Sequence, residues 1–282
     1  MQSRFSYSGP TNLSFWEKAK RRIKQTPVGS LSQRRLHVYN VGLERTGTTY
    51  IANLFSNFRS WHEPDWQLLL PFHDGRRDPT SFEVRDWLRS RDRALRLEVE
   101  SSHPLGPLVP TLSKTFPGAQ FICTIRSPKS WLRSVLDWSY PDGAGVRHNT
   151  HKPWNAMLRA YYRQEKQSEE YSSPVLEEHG LYTLEGYLKK WASHYNNIVQ
   201  SVSQDRLCLV RTAKLSNARG RIAKFLDVGE SMLTLPSERV NRSNTSESVY
   251  ESIDSRLIDN RIDQYCRRVI NYISKNYDII IK

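Results

Sequence analysis

His37-Val38-Tyr39-Asn40-Val41-Gly42-Leu43-Glu44-Arg45-Thr46-Gly47-Thr48-Thr49-Tyr50 is the stretch on which the reading of this chain turns. Its opening run is apolar and carries valine and tyrosine, the composition of a short buried strand. A turn bounded by Gly42 and Gly47 follows. Tyr50, Ile51, Leu54, Phe55 and Phe58 then recur at helical spacing. Strand, glycine loop and helix in that order make a cradle for an anion. Loop N–H groups and the positive end of the helix converge on one point.

Gly42-x-x-x-x-Gly47 has the spacing of a P-loop, but Thr48-Thr49 stand where a nucleoside triphosphatase has Lys-Ser or Lys-Thr. The lysine that clamps β- and γ-phosphates is missing. Arg45 supplies a cation earlier in the loop, and its guanidinium can fork two hydrogen bonds to a phosphate or sulfate. A second stretch, Phe121-Ile122-Cys123-Thr124-Ile125-Arg126-Ser127-Pro128-Lys129-Ser130-Trp131-Leu132-Arg133-Ser134, reads as an apolar strand followed by a helix start. Ser127 is placed to cap that helix and Pro128 to open it. Arg126 ends the strand and Ser134 lies two turns into the helix, so the pair can bracket one phosphate.

Together these stretches resemble the sulfotransferases that use 3′-phosphoadenosine 5′-phosphosulfate (PAPS). Gly42 to Thr49 is similar to the family's 5′-phosphosulfate loop, which has Lys or Arg, a small residue, and Gly-Thr-Thr or a relative. Phe121 to Ser134 resembles its 3′-phosphate motif, with Arg126 and Ser134 in the ligand positions and Lys129 where many members carry lysine. The resemblance runs over roughly residues 36–245. It implies donor binding by Arg45, Thr46, Gly47, Thr48, Thr49, Arg126 and Ser134. Arg242, in Arg239-Val240-Asn241-Arg242, falls where many members have a basic loop that closes over the 3′-phosphate. The implied reaction is sulfuryl transfer from PAPS to a hydroxyl or amine of a small-molecule or glycan acceptor, releasing PAP and needing no metal. Arg45 would then stabilise charge during the transfer.

Two residues are candidates for the general base. Glu63, in Arg59-Ser60-Trp61-His62-Glu63-Pro64-Asp65-Trp66, follows the first helix, where several branches of the family place an acid facing the acceptor. The other reading makes Pro64-Asp65 a turn and leaves Glu63 solvated. His103, in Ser101-Ser102-His103-Pro104, lies beyond a strand end, where ligands bind in doubly wound sheets. It precedes Arg126 by the interval at which the cytosolic branch places a catalytic histidine. Ser101 and Pro104 depart from that branch's Lys-x-His-x-Pro-like turn, and a lone histidine at a strand end also serves structure.

The fold class is α/β: a mainly parallel central sheet with helices on both faces, in the P-loop-like manner of the sulfotransferases. Strands are expected at 37–41, 95–100, 120–126 and 206–211, and helices over 105–116, 184–202, 218–226 and 249–273. Residues 1–35 read as a polar, basic extension, with a short helix around Phe15 to Lys24, and 36–282 as the catalytic domain. Residues 139–183, with a helix over Trp154 to Glu170, read as an insertion serving as a substrate lid. Trp191 and His194 sit on the helix whose aromatics face the adenine in the family, although core packing accounts for most of that face.

The 282 residues carry a net charge of +13, from 42 basic and 29 acidic side chains. This excess suits a partner bearing several negative charges. The basic residues are spread along the chain without a nucleic-acid-binding signature, so nucleic acid is not expected. Cys123, Cys208 and Cys266 are too few and too scattered for a disulfide framework or a zinc site. No signal peptide or membrane-spanning run is read, and a cytoplasmic location is expected. Two other functions compete: a P-loop kinase-like phosphotransferase, and a nucleotide- or polyanion-binding protein without turnover.

Overall fold

The computed structural model describes residues 33–73, 76–139, 173–236, 248–277 and 279–281. Five strands form one parallel sheet: β1 (Val38–Asn40), β2 (Ser60–His62), β3 (Val99–Ser101), β4 (Gln120–Ile125) and β5 (Leu207–Arg211), in the spatial order β2-β3-β1-β4-β5. Every pairing is parallel, so each crossover carries helix, and the order reverses at β1. The described helices are α1 (Thr48–Leu54), α2 (Leu70–His73), α3 (Phe82–Leu95), α4 (Val109–Thr115), α5 (Pro128–Ser139), α6 (Pro174–Glu178), α7 (Leu184–Ser201), α8 (Arg219–Phe225), α9 (Ser255–Tyr265) and α10 (Arg267–Asn276).

Both faces of the sheet are buried, which is why its strands read as unbroken apolar runs. Phe121, Cys123, Leu207 and Leu209 point into one core with Trp131, Tyr187, Trp191 and Tyr195. Ile122, Cys208 and Val210 point into the other, with Ile51, Leu54, Phe55 and Ile222. The long α7 begins where Thr183 accepts a hydrogen bond from the Gly186 N–H at 3.0 Å, satisfying one of the free donors of the first turn.

Several expected elements come out differently. Ser60–His62, for which no element was expected, is a strand that pairs with β3 in the register Ser60↔Val99 and His62↔Ser101. The strand expected at 95–100 is shorter, because α3 runs through Leu95 and Arg96 turns the chain at φ 49°. The helix expected over 105–116 opens as a 3-10 segment, His103–Leu108, carrying Pro104 and Pro107. The last helix divides into a 3-10 turn (Val249–Ser252), α9 and α10, breaking at the fully buried Cys266. The helix around Phe15, almost all of the basic extension, Arg242 and most of the proposed lid, including Trp154 to Glu170, lie outside the described residues.

Candidate active site

The glycine loop lies at the C-terminal end of β1, beside the reversal of strand order. The core holds most of its carbonyls. His194 Nε2 donates to the Val41 carbonyl at 2.8 Å and Trp131 Nε1 to that of Glu44 at 3.0 Å. Thr46 Oγ1 donates to the Leu43 carbonyl at 2.6 Å, and Thr212 Oγ1 to that of Thr46 at 2.7 Å. At the start of α1 the first-turn N–H groups of Thr48 and Thr49 have no intrahelical acceptors.

Two glycines are required by contact and by backbone. A Cβ on Gly42 would lie 1.9 Å from Thr124 Oγ1, which is itself 2.7 Å from Thr46 Oγ1. Gly47 sits at φ 102°, where a side chain is strained, and a Cβ there would meet Leu215 Cδ1 at 2.4 Å. Arg45 also adopts a positive φ of 61°.

Two guanidinium groups converge above this cradle. Arg126 Nη1 donates to the Arg45 carbonyl at 3.3 Å. Arg45 Nε lies 3.4 Å from Ser134 Oγ, and its guanidinium stands over the Trp138 ring at 5.7 Å. Burial, then the neighbouring Arg126 charge, lowers the pKa of Arg45; burial lowers that of Arg126. A bound anion would relieve both effects. Arg126, expected with Ser134 to bracket one phosphate, bonds a nearer serine of α5. Its Nε donates to Ser130 Oγ at 2.8 Å, one turn nearer on α5, while Ser134 serves Arg45. Trp191 Nε1 donates to the Arg126 carbonyl at 3.0 Å. Trp191 and His194 are thus buried props of the site, as core packing required, and burial pushes the His194 pKa down to about 3.

The two candidate bases are brought together. His103 Nδ1 lies 2.5 Å from Glu63 Oε1. Burial raises the Glu63 pKa, but the His103 charge and hydrogen bond outweigh it and hold the carboxyl below its ordinary value. Burial disfavours the His103 cation, but Glu63 outweighs it and holds that pKa above the ordinary value. Glu63 is the outer member of the pair, with 16% of its side chain exposed against 2% for His103. It is not a solvated turn residue. Its N–H donates to the Ser101 carbonyl at 2.9 Å, and its φ is 51°. The following residue is anchored from below: buried Arg91 forks two bonds of 2.6 and 2.7 Å to Glu100 and donates to the Pro64 carbonyl at 2.8 Å.

Sequence reasoning noted His62 beside Glu63 but gave it no role in the site. Its Nε2 lies 3.0 Å from Thr48 Oγ1, 3.3 Å from Thr49 Oγ1 and 3.5 Å from Glu63 Oε1, joining the anion loop to the base pair. The signal was its place directly before Glu63. Among the described residues no cluster of three or more His, Cys, Asp or Glu is arranged to hold a metal ion, and no helix is long and apolar enough to cross a membrane.

Nothing among the curated protein sequences matches the chain. Among solved structures, it is similar to the sulfotransferase from Alicyclobacillus acidocaldarius, at 11% identity over 87% of this chain and 96% of that one, with a TM-score of 0.44. Sulfotransferase STF9 from Mycobacterium avium is similar at 12% identity over 94% and 81%, with a TM-score of 0.45. The sulfotransferase domain of the Synechococcus PCC 7002 olefin synthase is similar at 13% identity over 81% and 94%, with a TM-score of 0.39. The profile of the sulfotransferase domain matches residues 37–249, from β1 to the turn before α9 and so across the whole sheet, and the chain belongs to the sulfotransferase family.

Proposed function

We propose that the protein transfers a sulfuryl group from PAPS to a hydroxyl or amine of a small-molecule or glycan acceptor. The observation that carries this reading is the meeting of Arg45 and Arg126 over the Gly42 cradle, with the Glu63–His103 pair joined to the same loop through His62. Bound donor supplies a sulfuryl group whose S–O bond to the 5′-phosphate breaks as the acceptor attacks. Arg45 and the N–H groups of Thr48 and Thr49 neutralise the charge that grows on the departing phosphate. Arg126, with Ser130 and Ser134 on α5, holds the 3′-phosphate. Glu63 takes the acceptor proton, being the more exposed member of its pair, and His103 orients it from behind and compensates its charge.

The test is incubation with PAPS and a panel of alcohols, amines and oligosaccharides, read by mass spectrometry. An acceptor gaining a sulfate in the presence of wild-type protein, and much less with Arg45→Ala, is the expected result. Arg45→Ala should lower kcat about a hundredfold or more and affect PAP affinity less, because the interaction strengthens as charge develops. Arg45→Lys should recover part of the rate while losing the forked geometry. Near wild-type turnover by Arg45→Ala would make the loop a structural feature only.

A further inference from the structure

The proposed reaction sets an electrostatic problem. A carboxylate base has to remain ionised beside a loop that receives a polyanionic donor, and two desolvated negative groups in one site raise each other's pKa. His62 is the side chain whose position addresses both. Its Nε2 reaches the hydroxyls of Thr48 (3.0 Å) and Thr49 (3.3 Å) in the first turn of α1, and the Glu63 carboxylate at 3.5 Å. At the end of β2 it stands between the anion cradle and the base, with 30% of its side chain exposed, so a proton can reach it.

We propose that His62 is a charge-compensating positioning residue. It is neutral in the free protein and takes up a proton when the anionic donor fills the loop, so that Glu63 stays a carboxylate next to a polyanion. This rests on the donor assignment made above. In the free protein, burial and then the His103 charge oppose protonation of His62, against the pull of Glu63, and its pKa is held below the ordinary value. The groups facing the pair from other elements are Glu44 in the loop and Lys190 on α7, which act on His103 with opposite signs; His73 on α2 and His194 on α7 also feel the His103 charge. An arriving anion adds a negative charge on the side of His62 that the two threonine hydroxyls mark. The hydroxyls can turn to donate to that anion, and the His62 Nε2–H then donates to their oxygens or to Glu63. Proton and anion bind together, and each strengthens the other by the same factor.

The experiment is calorimetry of PAP binding at pH 7.5 in buffers of different ionisation enthalpy, on wild type and on His62→Gln, which keeps hydrogen-bonding capacity without a titrating ring. Wild type should take up roughly half a proton or more per PAP bound, and its affinity should fall several-fold per pH unit between pH 7 and 8. His62→Gln should bind PAP with little of that uptake and with a flatter pH dependence. In NMR spectra, the His62 ring should change from neutral to imidazolium on adding PAP. Equal proton uptake by the two proteins, or a His62 ring that stays neutral in the PAP complex, would overturn the proposal and leave the donor assignment standing. Failure of wild type to bind PAP at all would overturn both.

Discussion

Replacing His103 by Phe keeps a ring in the buried space and removes the cation and the donor that hold Glu63. In the wild type the bond is 2.5 Å long, both groups are largely buried, and each favours the charged form of the other. A hydrogen bond to a charged group is worth about 1.5–3 kcal/mol net, against about 0.5–1.5 for a neutral one. The sign of the pH dependence follows from the two shifts. The Glu63 pKa is held below its ordinary value of 4.5, so its contribution is full above pH 4.5 and disappears as pH falls through the folded value. The His103 pKa is held above its ordinary value of 6.5, so its contribution is full below pH 6.5 and disappears as pH rises through the folded value. His103→Phe should therefore cost most between pH 4.5 and 6.5. Scanning fluorimetry should show a Tm lower by roughly 3–10 °C at pH 6 and by less at pH 9, where His103 is neutral and only its N–H bond to the carboxylate is lost. Once His103 is gone, burial is the largest influence left on Glu63 and raises its pKa, so the acid limb of the pH–rate profile should move to higher pH. A Tm deficit that stays constant from pH 5 to 9, with an unmoved acid limb, would refute the charged-pair account.

Other perturbations test the remaining parts of the site. Arg126→Ala should weaken PAP by about 10- to 150-fold, the equivalent of a charge-assisted bond, while adenosine 5′-phosphate is affected far less; calorimetry with both ligands checks this. Gly42→Ala puts a methyl 1.9 Å from the pinned Thr124 hydroxyl, so it should destabilise by about 1–3 kcal/mol in urea and abolish PAP binding before unfolding. Arg91→Met strands Glu100 in the core and should cost about 3–5 kcal/mol, while adding Glu100→Leu should restore much of it. Because Arg91 also holds the Pro64 carbonyl, the double variant should refold stably yet keep a reduced kcat, which a steady-state assay reads.

The central strands, the glycine loop and the helix start after Arg126 were legible because they depend on neighbours in sequence. Apolar runs, Gly42 and Gly47, and Ser127-Pro128 are local signals. What escaped the reading depends on contacts distant in sequence. Ser60–His62 is short and polar, and becomes a strand only by pairing with β3. Arg126 bonds Ser130, while Ser134 lies 3.4 Å from Arg45, a residue 89 positions away from it in sequence. Apolar periodicity runs on from α9 into α10, but buried Cys266, with its thiol 3.5 Å from the Leu188 carbonyl, divides them where both pack on α7.

The base pair shows most clearly how chemistry came to depend on such a contact. Glu63 and His103 were separate candidates in sequence, each weighed alone, and they stand 40 positions apart. Parallel register decides the matter: His62 lies opposite Ser101, so Glu63 leaves its strand beside Ser102 and His103. The Glu63 N–H to Ser101 carbonyl bond and the Arg91 hold on Pro64 lock that register. A slip of one residue would exchange the faces of β2 and present Glu63 and His62 in each other's place. Pairing of β2 at the sheet edge therefore sets the separation of base, compensating histidine and anion loop. That makes the buried Arg91–Glu100 pair, which touches none of the reacting groups, part of what positions them.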